Sequence, residues 1–99
     1  MYTWFRTYSA KTGKMQELLA ISQEAVKHLK KKHGIEVDMY TQLGGDPMKI
    51  GLVGRYETLG KLGDLEASIG TDNEWAAIVN RASSLVVEGT VADQFWKKL

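Results

Sequence analysis

The segment from Met48 to Tyr56, Met-Lys-Ile-Gly-Leu-Val-Gly-Arg-Tyr, is apolar on both parities of an extended chain. Ile50 and Leu52 fall on one side, Val53 on the other. A strand fed on both faces belongs inside a sheet, not at its edge. Gly44-Gly45-Asp46-Pro47 is a turn cluster directly before it, and Thr58 is placed to cap a helix directly after it. Gly51 and Gly54 weaken the strand and mark a bulge or a close approach of backbone. A hairpin on one side and a helix on the other restrict the architectures open to the chain.

The flanking segments narrow them further. Tyr2 to Ser9 alternates Tyr2, Trp4, Arg6 and Tyr8 against Thr3, Phe5 and Thr7, as a strand does. Met15 to His33 carries Met15, Leu18, Leu19, Ser22, Ala25, Val26, Leu29 and His33 on one helical stripe, and Gly34 is placed to end that helix. Ile35 to Leu43 alternates again, with Ile35, Val37 and Met39 opposing Glu36, Asp38 and Tyr40. Thr58 to Ile69 has a helical apolar spacing despite Gly60 and Gly63, and Gly70 breaks it. Thr71-Asp72-Asn73-Glu74 reads as a capping box for a continuation carrying Trp75, Ile78, Val79 and Ala82. Leu85 to Val91 has strand composition, and Lys97-Lys98-Leu99 reads as a frayed tail.

The order is β-α-β-β-α-β with the second helix broken near Gly70, which predicts an α+β, ferredoxin-like domain with a four-stranded antiparallel sheet. The chain of 99 residues fits one such domain, spanning 1–99. Helices cover one face of such a sheet, and the other must meet solvent or a partner. A chain this short gains from dimerisation.

Charge and composition exclude several functions. The formal net charge is +1, too even for a nucleic-acid binder held by phosphate contacts. Lys30-Lys31-Lys32 lies at a helix C-terminus and reads as a complement to the helix dipole, with a basic docking patch as the alternative. The chain has no cysteine, so disulfides, thiolate metal sites and cysteine nucleophiles are absent. No apolar run approaches the ~20 residues of a bilayer span, and the first residues lack a signal-peptide pattern, so a soluble cytoplasmic protein is expected, without a membrane partner. His28 and His33 are five apart, not the i, i+4 of a helical metal pair. Metal and cofactor are therefore expected to be none, with His28 solvated and His33 partly buried.

Three pieces of the chain resemble the NIPSNAP-like family of the dimeric α/β-barrel superfamily. Arg6-Thr7-Tyr8 followed by Gly13-Lys14 is similar to the Arg-x-Tyr and Gly-Lys that close the family's first strand. Tyr56-Glu57-Thr58-Leu59 is similar to its Tyr-Glu-Ser-Leu. Asp72-Asn73-Glu74-Trp75 is similar to the Asp-Pro-Glu-Trp that opens its last helix. The chain departs at Gly54, where the family often carries an aromatic, and at Asn73, which replaces the proline. The resemblance implies a homodimer whose two sheets form a barrel, and an ill-defined biochemical role. The wider superfamily includes cofactor-independent monooxygenases, haem-degrading enzymes, decarboxylases and stress-response proteins.

Arg6, Tyr8, Tyr40 and Arg55 are the candidate site residues, and the catalytic residues are unknown. An arginine beneath the protein's own helices would be costly without a partner. Arg6 and Tyr8 are therefore expected on the open face, inside the barrel, with Tyr40 and Arg55. One reading is a cavity for a small aromatic or anionic molecule, used by a cofactor-independent oxygenase or by a non-catalytic binding protein. The other is an Arg–acid network stabilising the barrel, for instance Arg6 with Asp38.

Overall fold

The computed structural model describes residues 1–99. The elements are β1 (Tyr2–Ser9), α1 (Met15–His33), β2 (Val37–Thr41), β3 (Lys49–Tyr56), α2 (Leu59–Gly70), α3 (Asn73–Ser83) and β4 (Ala92–Lys97). The four strands form one antiparallel sheet in the order β2-β3-β1-β4. This is the ferredoxin-like arrangement, with β3 inside the sheet as its two-sided apolar pattern requires. Ile50 and Leu52 are buried on one face and Val53 on the other.

α1 lays Leu18, Ser22, Ala25 and Leu29 against the sheet. With Tyr8, Val37, Ile50 and Leu52, Leu18 and Leu29 form the core between sheet and helices. Gly34 ends α1 at φ +68°, and Ile35 N–H reaches back to Leu29 O at 3.3 Å. α2 starts at Thr58, whose side chain accepts from Lys61 N–H. The break at Gly70 makes two helices of one. The cap of α3 is Asp72, which accepts from Glu74 N–H and Trp75 N–H, so Thr71 is not the cap that the capping-box spacing suggests. Arg81 on α3 pairs with Glu24 on α1 and ties the two helices together.

Two further expectations need correction. The last strand is Ala92–Lys97, not Leu85–Val91. Leu85 is buried in the core beyond the end of β1, where Lys11 N–H donates to Leu85 O and Val87 N–H to Ser9 O. The chain then turns at Gly89, φ +81°, before pairing with β1. β4 is an exposed edge strand, so no alternating apolar face is imposed on its sequence. Lys97 is therefore part of the sheet, opposite Tyr2, and Lys98 N–H donates to Met1 O.

β3 carries no bulge: the register with β1 runs unbroken from Tyr56 to Lys49. Gly54 is instead a close approach. A Cβ there would lie 3.0 Å from Tyr56 Oη and 3.3 Å from Trp4 Cε3. The aromatic rings of the neighbouring residues occupy the space that a side chain at 54 would need.

Candidate functional site

The register decides which face each candidate occupies. Trp4, Arg6 and Tyr8 pair with Gly54, Leu52 and Ile50, so they share the face that the helices cover. Tyr8 is buried, and its hydroxyl lies 2.6 Å from Ser22 Oγ on α1. Arg6 stands directly opposite Asp93 on β4. Its Nε donates to Asp93 Oδ1 at 2.7 Å and its Nη2 to Oδ2 at 2.9 Å, a bidentate fork. The guanidinium also lies 5.4 Å from the Trp4 ring centroid.

The expectation that Arg6 and Tyr8 face the open side is therefore overturned. The cost argument assumed no acid under the helices; Asp93 supplies one, at an edge strand where both side chains stay about a third exposed. Tyr40 and Arg55 do lie on the open face, opposite Gly51 and Thr3. Asp38 pairs with Arg55 at 3.1 Å, not with Arg6. The four candidates split into two pairs on opposite sides of one sheet and cannot line one cavity.

A cavity of about 420 Å³ does exist, between the sheet and the helices. Arg6, Tyr8 and Leu52 line it from the sheet, Ser22 and Ala25 from α1, and Trp75 from α3. Val79, Val87 and Val91 also line it and are themselves substantially exposed, which places them at the rim. The lining is mostly apolar, with few polar groups inside, the usual make-up of a small-molecule site. A larger depression of about 590 Å³ runs past His33, Asp38, Arg55, Glu57 and Lys61. Arg55 with Asp38 and Lys61 with Glu57 are exposed ion pairs along it, which makes that stretch a solvated groove.

Charged groups of both signs line the cavity, Arg6 and Lys11 with Glu88. The hydrogen bond with Asp93 raises the Arg6 pKa further, against the opposing effect of burial. Burial pushes the Tyr8 phenol up, and the Ser22 bond and the Arg6 charge only partly offset it. Both groups keep their protons at neutral pH. Asp93 is held below the ordinary carboxylate range, first of all by its hydrogen bonds from Arg6.

Sequence reasoning did not single out Asp93 or Ser22 as site residues. Ser22 was legible only as a polar residue on the apolar stripe of α1. It also missed a second cluster. His28, expected to be solvated, has a side chain only 9% exposed. Its Nε2 and that of His33 each lie 2.7 Å from Asp72 Oδ2. Lys32 Nζ donates to Asp72 Oδ1 at 3.2 Å. Burial alone would raise the Asp72 carboxyl, but the bonds from His28, His33, Trp75 N–H and Lys32 outweigh it and hold it far below the ordinary range. Helical spacing gives no hint that two histidines five apart converge, because the point they meet is the cap of another helix.

Solved structures with this arrangement were found across the whole chain. A NIPSNAP domain protein from Burkholderia xenovorans superposes with a TM-score of 0.84 at 19% identity, covering 100% of this chain and 95% of its own. This is the fold of the NIPSNAP proteins. A NIPSNAP family protein from Agrobacterium tumefaciens gives 0.82 at 19% identity, over 99% and 92% of the two chains. A protein from Nitrosomonas europaea, described as a proposed antibiotic biosynthesis monooxygenase, gives 0.77 at 15% identity, over 100% and 99%. No protein-family model and no curated protein matches the chain in sequence. The NIPSNAP and monooxygenase-type α/β-barrel fold is thus shared from end to end, at identities that speak for the fold alone.

Proposed function

We propose that the chain binds a small, flat, largely apolar molecule bearing an ionisable oxygen, in the cavity between the sheet and α1 and α3. The observation that carries this reading is a mostly apolar cleft with Arg6 and Tyr8, two neighbouring donors, on its sheet side. An oxygen that becomes a phenolate or enolate beside a guanidinium is stabilised there, since donors fixed in a poorly hydrated site act strongly on developing negative charge. The finer proposal is a cofactor-independent oxygenase acting on an electron-rich aromatic ring. A bound phenol that releases its proton to solvent becomes a phenolate, which can pass an electron to dioxygen. Recombination of the phenoxyl radical and superoxide at a ring carbon bearing hydrogen, with a proton taken back from solvent, gives a hydroperoxide, and loss of water with that carbon's hydrogen leaves a quinone. The protein's part is to orient the ring, stabilise the anion and exclude water. A second reading, non-catalytic binding, is favoured by the protonated state of both Arg6 and Tyr8, neither of which serves as a base.

The open face, with Phe5 and Val53 at its centre, is proposed to close on a second copy and form the barrel. Light scattering should then give twice the chain mass. The cavity reading is tested with 1-naphthol, followed by quenching of tryptophan fluorescence. Saturable binding is expected, weakened at least tenfold in Arg6→Met and lost from the fluorescence signal in Trp75→Phe. Binding that ignores both substitutions would place the ligand elsewhere. Oxygen uptake with 1-naphthol that depends on the protein supports the oxygenase; binding without uptake leaves the carrier.

A further inference from the structure

The cluster at the junction of α1 and α3 is not used by the cavity. We propose that His28, His33 and Asp72 form a binding site for a single zinc-class divalent cation. One ligand atom from each of the three lies within 4.8 Å of the other two. Both imidazoles present Nε2 to the same carboxylate oxygen, Asp72 Oδ2, at 2.7 Å. The rings meet edge to face, with centroids 6.0 Å apart and planes at 75°, so their nitrogens converge without the rings stacking. The side chains are nearly enclosed, at 9%, 9% and 1% exposure. Two imidazoles and a carboxylate are a donor set suited to zinc, with a fourth position left for water.

The backbone has already fixed the carboxylate. Asp72 Oδ1 accepts from Glu74 N–H and Trp75 N–H at the start of α3, which leaves Oδ2 directed at the histidines. Zinc sits about 2.0–2.2 Å from N and O ligands, and tetrahedral placing needs ligand atoms about 3.3 Å apart. The 2.7 Å contacts must open by about half an ångström, a side-chain adjustment within reach of χ rotation.

Glu74 supplies an independent observation. Its Oε2 lies 3.5 Å from His28 Nδ1, on the side of the ring away from Asp72. Without metal, Nε2–H of each ring donates to Asp72. When Nε2 binds a cation, the ring proton sits on Nδ1, and Glu74 is placed to accept it. A carboxylate behind a metal-bound imidazole is the usual outer support of such ligands. The opposing feature is Lys32, whose ammonium contacts Asp72 Oδ1 at 3.2 Å and Glu74 at 3.9 Å. It is half exposed on a flexible stem and touches the other carboxylate oxygen, so it can withdraw into solvent as the cation enters.

The test uses the full chain, stripped with EDTA and titrated with ZnCl₂ against a chromophoric chelator, with CoCl₂ as a visible probe. One equivalent is expected to bind, with intense visible bands for four-coordinate cobalt and a raised melting temperature with zinc. Asp72→Asn keeps a good helix cap and His33→Gln keeps an amide donor, yet each should weaken zinc binding at least a hundredfold. Far-UV circular dichroism checks their folding. Should either unfold, two exposed positions carry the test. Glu74→Gln should weaken binding about tenfold, and Lys32→Met should tighten it. The absence of stoichiometric binding, or a dissociation constant indifferent to these substitutions, would show a hydrogen-bonded latch and overturn the proposal.

Discussion

The two faces of the sheet handle their charged and aromatic residues differently. Under the helices, Arg6 is forked to an acid on the neighbouring strand and Tyr8 is bonded to a helix serine. On the open face, Arg55 and Asp38 touch through one bond and remain more than half exposed. The Tyr8–Ser22 bond is buried, where each polar group must have a partner, while the Arg6–Asp93 fork sits at the edge strand about a third exposed. The Arg55–Asp38 pair is free to rearrange when something covers the face. The helix side thus holds at least one buried polar pair, whereas the open face carries an ordinary exposed ion pair.

The comparison breaks most plainly in the core. Leu18 is fully buried against the helix-side face. Leu18→Ala should cost about 2–5 kcal/mol. Denaturant unfolding measures it, and a loss under about 1 kcal/mol would mean that this face is not the packed side.

Tyr8→Phe comes next. It leaves the Ser22 hydroxyl buried without its partner, a loss of about 1–3 kcal/mol. Ser22→Ala added to Tyr8→Phe should recover part of that loss, since the orphaned hydroxyl goes too. A double-mutant cycle with zero coupling would show that the 2.6 Å contact is not a working bond.

The pH dependence of the Arg6–Asp93 pair is smaller. Asp93 is depressed in the folded state by its hydrogen bonds from Arg6. A depressed carboxylate stabilises the fold above its unfolded value of about 3.9, and that stabilisation is lost as pH falls through the folded value. Both side chains are about a third exposed, so solvent screening limits the effect to about 1 kcal/mol. Wild type and Asp93→Asn should therefore differ in stability at pH 7 and converge as the pH falls below about 3.9. A difference that persists unchanged into acid would sink the assignment.

What was legible in the sequence was whatever repeats within one element. α1 has the same bounds in sequence and structure, because its stripe, its terminal glycine and its basic last turn all agree. The break at Gly70 and the interior place of β3 were legible for the same reason. β4 was misplaced because an exposed edge strand carries no periodic signal, while the valines before it serve as core and cavity rim. That error spread to the site. With β4 placed too early in the chain, the sequence offers Arg6 no acid on the helix side, and the cost of burying a lone arginine then points it to the open face. The convergence of His28 and His33 on Asp72 was not legible at all, since it depends on how α3 crosses α1.

The smallest expected effect is on the open face. Arg55 and Asp38 are joined by one 3.1 Å bond, with side chains 55% and 59% exposed. Such a pair gains little Coulomb energy in water and loses side-chain entropy on forming. Arg55→Ala should change the stability of the isolated chain by less than about 0.5 kcal/mol. The same substitution acts differently if the open face is covered by a second copy, because removing one partner leaves Asp38 as an unpaired charge in the interface. Stability should then fall by more at protein concentrations that favour association than in dilute solution. Melting curves for wild type and Arg55→Ala over a hundredfold range of concentration separate the two cases. A difference that stays within about 0.5 kcal/mol throughout means that the pair remains wet, and the two faces then differ as sharply in the assembled protein as in the single chain.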